Sequence, residues 1–263
     1  MAIMAAKVKY AGVDMSYCQT NVDYKALKAG KICGKPVKFA MLRFSYGAWQ
    51  DTVFDTHYRG CKEAGIYVGV YHWLRAQNVA QAREEAQWLV DKLRNYDIDY
   101  PVALDFEDEK LLALGLSKAQ YTAIVNAFMD VLVKANYYVV LYTYTNCLLH
   151  YLQVSVRTKY DLWIADYTGV AINYGQTMWQ YGIAGHPQYD TKNVRAVDGV
   201  PGQCDVNWAY VGYAAKIRKL GKNKPVIKYK VTGTKTVTKQ ALAQAQAQLK
   251  ALGFEVRVEE VNT

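Results

Sequence analysis

The sequence predicts an α/β protein whose main part is a closed (β/α) barrel and whose C-terminus forms a small β-α-β module. Short apolar runs alternate with amphipathic helical stretches along the body of the chain, which is typical of a parallel sheet with helices outside it. Roughly eight strands within about 210 residues favour a closed barrel over an open doubly wound sheet. An open Rossmann-like sheet is the alternative, but no strand is followed by a glycine-rich nucleotide-binding motif.

The predicted elements follow one another in a regular order. A helix over residues 51–64 is ended by Gly65, a charged helix covers 79–93, and Ser117 caps a helix that runs to Lys134. Little helix separates the last three strands. The strands lie at residues 8–13, 37–44, 66–71, 102–106, 138–142, 162–165 and 177–180 and around Asp205.

Composition excludes several classes of protein. The chain has 263 residues, of which 52% are hydrophobic and 21% charged, so it is neither disordered, collagen-like nor a coiled coil. No apolar run approaches the roughly 18–20 residues needed to cross a bilayer. Lys7 and Lys9 follow a short apolar stretch, the wrong order for a secretory signal peptide. Five scattered cysteines predict reduced thiols rather than a disulfide framework.

The positive charge is concentrated in the C-terminal tail. Residues 218–263 carry ten Lys and Arg against three Asp and Glu, whereas the other 217 residues carry 22 against 20. A basic patch attracts nucleic acid, anionic lipid or anionic cell-wall polymer, and its sign does not choose among them. The alternation of the tail's lysines with apolar residues on a strand is typical of a solvated sheet face, which makes nucleic acid the weakest of these partners.

The tail has the pattern of a β-α-β unit. Apolar residues alternate over 227–231 and 254–259, and Thr238 can cap a helix that Gly253 ends. The predicted domains are therefore a barrel at 1–217, a linker at 218–225 and a module at 226–263. So small a module is marginal alone, and we expect it to pack on the barrel, bind the cell wall or pair with a second copy.

Four acidic residues are the candidate catalytic groups. Asp105 and Glu107 follow an apolar strand two residues apart, so both side chains project from one face. Two close carboxylates push their pKa values apart, as acid/base cleavage of a glycoside requires. Asp14 and Asp205 end or begin other predicted strands, and barrels carry their sites at the carboxyl ends of the strands.

The aromatic composition also favours a sugar ligand. The chain has 23 Tyr and six Trp but only six Phe, and rings with a polar tip suit saccharide surfaces. A carboxylate cluster could instead hold Ca²⁺ or Mg²⁺, but acids beside aromatic residues fit a sugar better. Scattered His, unpaired Cys spacing and the absence of a G-x-S-x-G motif disfavour zinc and serine chemistry, so we predict no metal and no cofactor.

Several ordered motifs carry a family resemblance. The chain resembles glycoside hydrolase family 25, the Chalaropsis-type lysozymes or N-acetylmuramidases of phage endolysins and bacterial autolysins. The resemblance implies a flattened, modified barrel of five β/α units and three closing strands. The motifs are GVDMSYCQ (12–19), FAMLRFSYG (39–47), AGIYVGVYHW (64–73), PVALDFE (101–107), LWIADY (162–167), MWQY (178–181) and CDVN (204–207).

The resemblance also implies a reaction and residue roles. The reaction is hydrolysis of the β-1,4 bond between N-acetylmuramic acid and N-acetylglucosamine in peptidoglycan. Glu107 occupies the position of the general acid/base, and Asp105 that of a nucleophile or of a group that orients the substrate acetamide. Asp14 and Asp205 fill the remaining acidic positions. The implied substrate-binding residues are Tyr71, Trp73, Tyr142, Trp179, Gln180 and Arg43.

The resemblance has departures that leave the four acids untouched. Thr20 replaces a usual Gly, Tyr24 a usual Trp, and Arg43 a common Lys. The predicted function is therefore that of a peptidoglycan hydrolase. The alternatives are a wall-binding protein without turnover, disfavoured because all four acids are present, and a chitinase, disfavoured because the pattern of family 18 is absent.

The predicted partners and location follow from this function. Peptidoglycan is the expected partner of the barrel, and an anionic wall polymer or a second copy is the expected partner of the tail. The missing signal peptide predicts an endolysin that stays in the host cytoplasm until its release to the wall, or an autolysin exported by another route. No membrane span and no nucleic-acid partner are predicted.

Overall fold

A closed barrel forms the centre of the first of two structural units, Met1–Pro225 and Val226–Thr263, in the computed structural model. The structure describes residues 8–170, 173–224 and 238–251. Eight strands make the barrel within this part of the chain, which confirms the predicted fold class. They are β1 (Tyr10–Met15), β3 (Lys35–Tyr46), β5 (Tyr67–Trp73), β6 (Val102–Asp105), β7 (Val139–Tyr144), β8 (Asp161–Ala165), β9 (Met178–Ala184) and β10 (Cys204–Ala209).

The remaining elements lie outside the barrel or extend it. Two short strands, β2 (Lys31–Ile32) and β4 (Trp49–Gln50), pair antiparallel with β3. The helices of the first unit are α1 (Tyr24–Ala29), α2 (Phe54–Glu63), α3 (Val79–Leu93), α4 (Glu109–Leu112), α5 (Lys118–Lys134), α6 (Thr145–His150), α7 (Val156–Lys159) and α8 (Tyr213–Leu220).

The strand order explains how the barrel closes. Strands β1, β3, β5, β6, β7, β8 and β9 follow one another in parallel, as β/α units require. Strand β10 runs antiparallel between β9 and β1 and completes the ring. Five β/α units are thus followed by the three closing strands β8, β9 and β10.

Local sequence signals fix the helix ends. The Ser117 hydroxyl accepts from the Gln120 amide at 3.3 Å, and the Gln120 side chain accepts from the Ser117 amide at 2.9 Å. This capping box starts α5 at the predicted residue. Gly65, at φ +71°, follows the end of α2 in the left-handed conformation that glycine adopts at little cost.

Alternate strand residues build two apolar layers. The outer layer lies between strands and helices and is largely aliphatic, with Phe44 and Phe54 among its rings. The interior of the barrel is aromatic: Phe39 stacks on Tyr100 with 4.7 Å between ring centroids, and Tyr213 of α8 packs edge-on against Tyr100. Tyr and Trp are abundant because their rings fill this interior while their polar atoms hydrogen-bond.

The structure differs from the sequence prediction at residues 218–225, which the tail's composition assigns to a linker. Helix α8 continues to Leu220, and Asn223 is buried. The Asn223 side chain donates to the carbonyls of Ile98 (3.1 Å) and Tyr100 (2.7 Å) and accepts from the Tyr138 amide at 2.8 Å. The chain through Asn223 therefore packs as part of the barrel, because these three backbone groups need a partner.

The second unit is described through one helix. Helix α9 (Lys239–Ala251) begins after Thr238, whose hydroxyl accepts from the Ala241 amide at 3.2 Å, as the capping pattern predicts. The predicted strands at 227–231 and 254–259 lie outside the described residues. In the part of the chain that the structure describes, none of the helices has the length and apolar character to span a bilayer.

Candidate active site

The structure brings the four predicted acids to one rim of the barrel. Asp14 lies near the end of β1, Asp105 ends β6, and Glu107 follows two residues later. Asp205 lies at the start of β10, directly opposite Asp14. Because β10 runs against the other strands, its beginning meets their carboxyl ends, where barrels carry their sites.

Burial raises the pKa values of all four acids, and the charges of neighbouring acids add to the shift in Asp105, Glu107 and Asp205. Burial and then the charge of Asp14 raise the pKa of Glu107 to about 7. Burial raises the pKa of Asp14 to about 6, although hydrogen bonds from Asn207 and Gln180 oppose the shift. Burial, with the charges of neighbouring acids, raises the pKa values of Asp105 and Asp205 well above their ordinary range. The cluster therefore keeps a proton available near neutral pH.

Two amides hold Asp14 in place. The side-chain amides of Asn207 and Gln180 donate to the same Asp14 carboxylate oxygen at 2.6 and 3.0 Å. The Trp163 indole donates to the Asn207 carbonyl oxygen at 2.8 Å, which fixes the orientation of that amide. Asp14 consequently has the most hydrogen-bond support of the four carboxylates. Its pKa is also shifted less than that of Asp205, which faces it.

Gln180 joins Asp14 to two tyrosines. Its carbonyl oxygen accepts from the hydroxyls of Tyr142 at 2.8 Å and Tyr167 at 2.6 Å, while its amide donates to Asp14. Burial raises the pKa of Tyr142 far above its ordinary value, so its hydroxyl stays a donor. Both tyrosines therefore act on the acid cluster through Gln180.

Asp105 is the deepest of the catalytic candidates. Its side chain is 2% exposed, and its Oδ1 atom has no hydrogen-bond partner among the described residues. Tyr71 lies close enough that, after burial, the charges of Asp14 and Asp105 help to raise the pKa of its hydroxyl. An unsatisfied buried oxygen costs free energy, and such a cost is expected where a substrate group supplies the missing hydrogen bond.

Glu107 faces an open cleft. It lines a cavity of about 490 Å³, large enough for saccharide units. The Trp73 indole forms part of the wall, and its N–H donates to Asp108 at 3.2 Å. The remaining lining residues are Tyr46, Glu109, Lys110 and Tyr144.

Arg43 lies beside this cleft rather than free within it. Its guanidinium is 2.7 Å from the Asp51 carboxylate and stacks over the Tyr17 ring at 4.6 Å from the centroid. Its charge still reaches the site, because it opposes the upward shift in the pKa of Asp105. Asp51, which the sequence leaves unassigned, is the residue that positions it.

Trp179 does not reach the cleft, contrary to its predicted place in a sugar-contacting wall. It is 1% exposed, packs against Trp208 in the outer layer, and donates to the Asp166 carbonyl at 2.9 Å. Trp179 and Gln180 are adjacent in β9, so only one of them can face the barrel interior, and that residue is Gln180. Tyr142 is likewise buried, at 7% exposure, against Trp163.

Sequence reasoning missed several residues that complete the site. Asn207 lies two residues after Asp205, and Tyr167 lies two residues after Ala165, both within recognised motifs. This spacing could have identified them as site residues. Tyr46 lies three residues after Arg43 within the same motif. Among the described residues, no group of three or more His, Cys, Asp and Glu side chains is arranged to hold a metal ion.

Acids with raised pKa values beside an aromatic cleft, at the carboxyl end of barrel strands, define the class of barrel glycosidases. Comparison with known proteins gives the particular family. The chain belongs to family 25 of the glycosyl hydrolases, whose family model matches residues 13–188. The resemblance noted in the sequence is thereby confirmed.

Similar proteins extend this assignment. The autolytic lysozyme of Clostridium acetobutylicum is 29% identical over 200 residues, which cover 74% of this chain and 54% of that protein. This chain thus spans about half the length of that relative.

Two solved structures share the fold. The CTP1L endolysin has a TM-score of 0.64 at 22% identity, and the match covers 80% of this chain and 70% of the endolysin chain. The autolysin LytC from Streptococcus pneumoniae, solved with a synthetic peptidoglycan ligand, has a TM-score of 0.62 at 21% identity, covering 76% of this chain and 46% of its own.

Proposed function

We propose that this protein is a lysozyme that hydrolyses the β-1,4 bond between N-acetylmuramic acid and N-acetylglucosamine in peptidoglycan. One observation carries the proposal: Glu107, with its pKa raised to about 7, faces the cleft beside the buried carboxyl of Asp105, whose Oδ1 atom none of the described residues hydrogen-bonds. The names of the similar proteins and the peptidoglycan ligand of LytC support this substrate.

Glu107 is the proposed general acid. At neutral pH a large share of its side chain is protonated, so it can donate a proton to the oxygen of the leaving sugar. Once deprotonated, it can take a proton from the attacking water. Its position at the open cavity, rather than inside the barrel, suits this exchange with substrate and solvent.

Asp105 acts from beneath the sugar ring in either of two routes. As a nucleophile it would form a bond to the anomeric carbon; as an orienting group it would hold the substrate acetamide, whose oxygen then attacks. Its Oδ1 atom, which has no hydrogen-bond partner in the part of the chain that the structure describes, supports both roles. Asp14, whose pKa of about 6 leaves it largely ionised at neutral pH, adds negative charge beside the positive, oxocarbenium-like transition state, which lowers its free energy. Asp205 completes the acidic wall opposite Asp14.

The substrate-binding residues divide into contact and support. Trp73, with Tyr46 and Tyr144, is proposed to contact sugar faces in the cleft, and Tyr71 to donate its hydroxyl beside Asp105. Tyr142 and Gln180 support the site by holding Asp14.

The C-terminal unit is proposed to direct the barrel to the cell wall. Its excess of basic residues would attract an anionic wall polymer, and self-association is the second route by which it could strengthen binding. We further propose an endolysin-like life history, with accumulation inside the host before release to the wall.

Because Asn223 packs into the barrel, the C-terminal unit is best tested by truncation after Pro225. Loss of wall pull-down or of an oligomer in the truncated chain supports the proposal.

Glu107→Gln tests the catalytic assignment directly. Digests of purified walls by the wild-type protein should contain muropeptides that end in reducing N-acetylmuramic acid by mass spectrometry, and the variant should release none while still binding walls. Glu84→Gln, an exposed carboxylate on α3 that lines neither cavity, is the matched control and should retain activity. A wild-type protein that binds walls without releasing reducing ends would be a binding protein, and the proposal would be wrong.

A further inference from the structure

We propose that a pocket beside the catalytic cleft is a second saccharide subsite, which binds sugar units of the glycan strand beyond those held near Glu107. The inference rests on the proposed function and deepens it. We call this pocket the hairpin pocket, because the β3–β4 hairpin forms its outer wall. It measures about 250 Å³ and is lined by Tyr17, Arg43, Tyr46, Trp49, Gln50, Asp51 and Thr52.

The hairpin pocket concentrates the exposed rings of the molecule. Four aromatic side chains are exposed in the part of the chain that the structure describes, and three of them border this pocket. Trp49 is 80% exposed, Tyr17 55% and Tyr46 37%. Keeping a Trp ring almost wholly in water forgoes the free energy of burying it, which marks a surface that binds something.

The hairpin pocket adjoins the catalytic cleft at Tyr46. Tyr46 lines both cavities, and its ring centroid is 5.8 Å from that of Trp73 in the cleft wall. The Arg75 guanidinium lies 4.5 Å from the Tyr46 ring centroid, which holds the ring between the two cavities. A polymer bound across Glu107 therefore meets Tyr46 and then Trp49 as it leaves the cleft.

Asp51 makes the floor of the pocket rigid. Its carboxylate accepts from Arg43 Nε at 2.8 Å and from the backbone amides of Tyr17 and Val53, each at 3.0 Å. Its side chain is 1% exposed. One buried acid thus fixes the loop after β1, strand β3 and the start of α2. Binding of a ligand therefore costs little free energy for ordering the surface of the pocket.

The charge of the hairpin pocket favours an uncharged N-acetylglucosamine ring over a group with free carboxylates, such as a stem peptide. Asp51 neutralises Arg43, whose guanidinium face is also covered by Tyr17. A peptide with free carboxylates would require a cation with unused hydrogen-bond donors. Uncharged pyranose rings instead need aromatic faces and neutral polar groups, which Trp49, Tyr46 and Thr52 supply.

The test compares substrates of different length in Trp49→Ala, Trp49→Phe and Val154→Ala. Val154 is an exposed apolar residue absent from the lining of both cavities, and serves as the control. The substrates are glycan strands freed of stem peptides and a tetrasaccharide of the same sugars, so both carry one lactyl carboxylate per disaccharide and differ in length alone. In Trp49→Ala, the ratio of kcat/KM for strands to that for the tetrasaccharide should fall about fivefold to tenfold through KM, the loss of one stacking contact. Trp49→Phe should recover most of the ratio, and Val154→Ala should match the wild type.

Binding without turnover separates this inference from the proposed function. In a Glu107→Gln background, the affinity for peptide-free oligosaccharides should rise from four to eight sugars, and Trp49→Ala should remove that rise. Equal length dependence with and without Trp49 would overturn the subsite. An effect of Trp49 that appears only when stem peptides are attached would assign the pocket to peptide and overturn it too. Failure of the wild type to cut glycan would instead defeat the proposed function and leave the binding result standing.

Discussion

Asp14 lies directly opposite Asp205 across the antiparallel pair of strands β1 and β10. The charge of Asp14, after burial, raises the pKa of Asp205, whereas two side-chain amides limit the rise in the pKa of Asp14 to about 6. Asp14 is also the charge that raises the pKa of Glu107. One carboxylate on the first strand therefore influences the protonation of a residue on β10 and of a residue that follows β6.

Asp14→Asn should shift the pH profile of the enzyme. Removing the negative charge lowers the pKa of Glu107 below about 7, so the general acid loses its proton at lower pH. The alkaline limb of kcat/KM against pH should move downward by about one unit, with a lower maximum rate. An unchanged alkaline limb would show that Asp14 does not control Glu107. Asp23→Asn, which changes a helix cap away from the site, is the control.

Gln180→Ala should shift the opposite limb. The amide of Gln180 lowers the pKa of Asp14, so its removal should raise that pKa above about 6 and protonate Asp14 at higher pH. The acid limb of kcat/KM should move upward, and activity at pH 6 should fall about tenfold because Tyr142 and Tyr167 also lose their acceptor. The exposed Gln188→Ala variant should behave as the wild type. A fall in activity without a shift of the limb would point to packing rather than to Asp14.

Glu107→Gln should stabilise the folded protein, but only at high pH. The pKa of Glu107 rises from 4.5 to about 7 on folding, so its contribution to stability is complete below pH 4.5 and is lost as pH rises through 7. The variant should therefore be more stable at pH 8 by about 2 kcal/mol, or about 5 °C in Tm, and equal to the wild type at pH 4. Thermal melts at both pH values check this. Glu109→Gln should show no such difference, and a gain at pH 4 would contradict the explanation.

The barrel and its acids could be predicted because their signals are local. Helix α3 occupies the residues that its apolar spacing predicts, and the capping residue Ser117 starts α5 as expected. Acids at the ends of apolar strands must meet at one rim once the barrel closes, and Asp14 and Asp105 do.

The orientation of neighbouring side chains could not be predicted in the same way. Trp179 and Gln180 point to opposite faces of β9. Because both faces of a barrel strand are buried, the sequence shows no difference in polarity from which their orientation could be predicted. The hairpin pocket could not be predicted because β4, which forms part of its wall, is only two residues long. The role of Asn223 depends on backbone groups more than 80 residues away, which no local pattern reveals.

Asn223→Gly should destabilise the barrel strongly. Glycine tolerates the backbone at φ +60°, so the variant isolates the loss of the side chain, which leaves the Tyr138 amide and two carbonyls without a partner. We expect a loss of about 2–3 kcal/mol in the free energy of unfolding by chemical denaturation. Lys224→Ala, at the next and exposed position, should lose less than about 0.5 kcal/mol. A loss below that limit in Asn223→Gly would show that the segment is dispensable for the barrel.

The closing strand β10 also sets when the protein becomes competent during synthesis. Tyr10 on β1 pairs with Ala209 on β10. Strand β1 therefore lacks one of its two neighbouring strands until almost the whole barrel has left the ribosome. Asp205 and the Asn207 amide arrive with the same strand. A nascent chain that stops short of β10 therefore carries Asp14, Asp105 and Glu107 but lacks Asp205 and the Asn207 amide that holds Asp14. The last step of folding and the assembly of the acid cluster are one event.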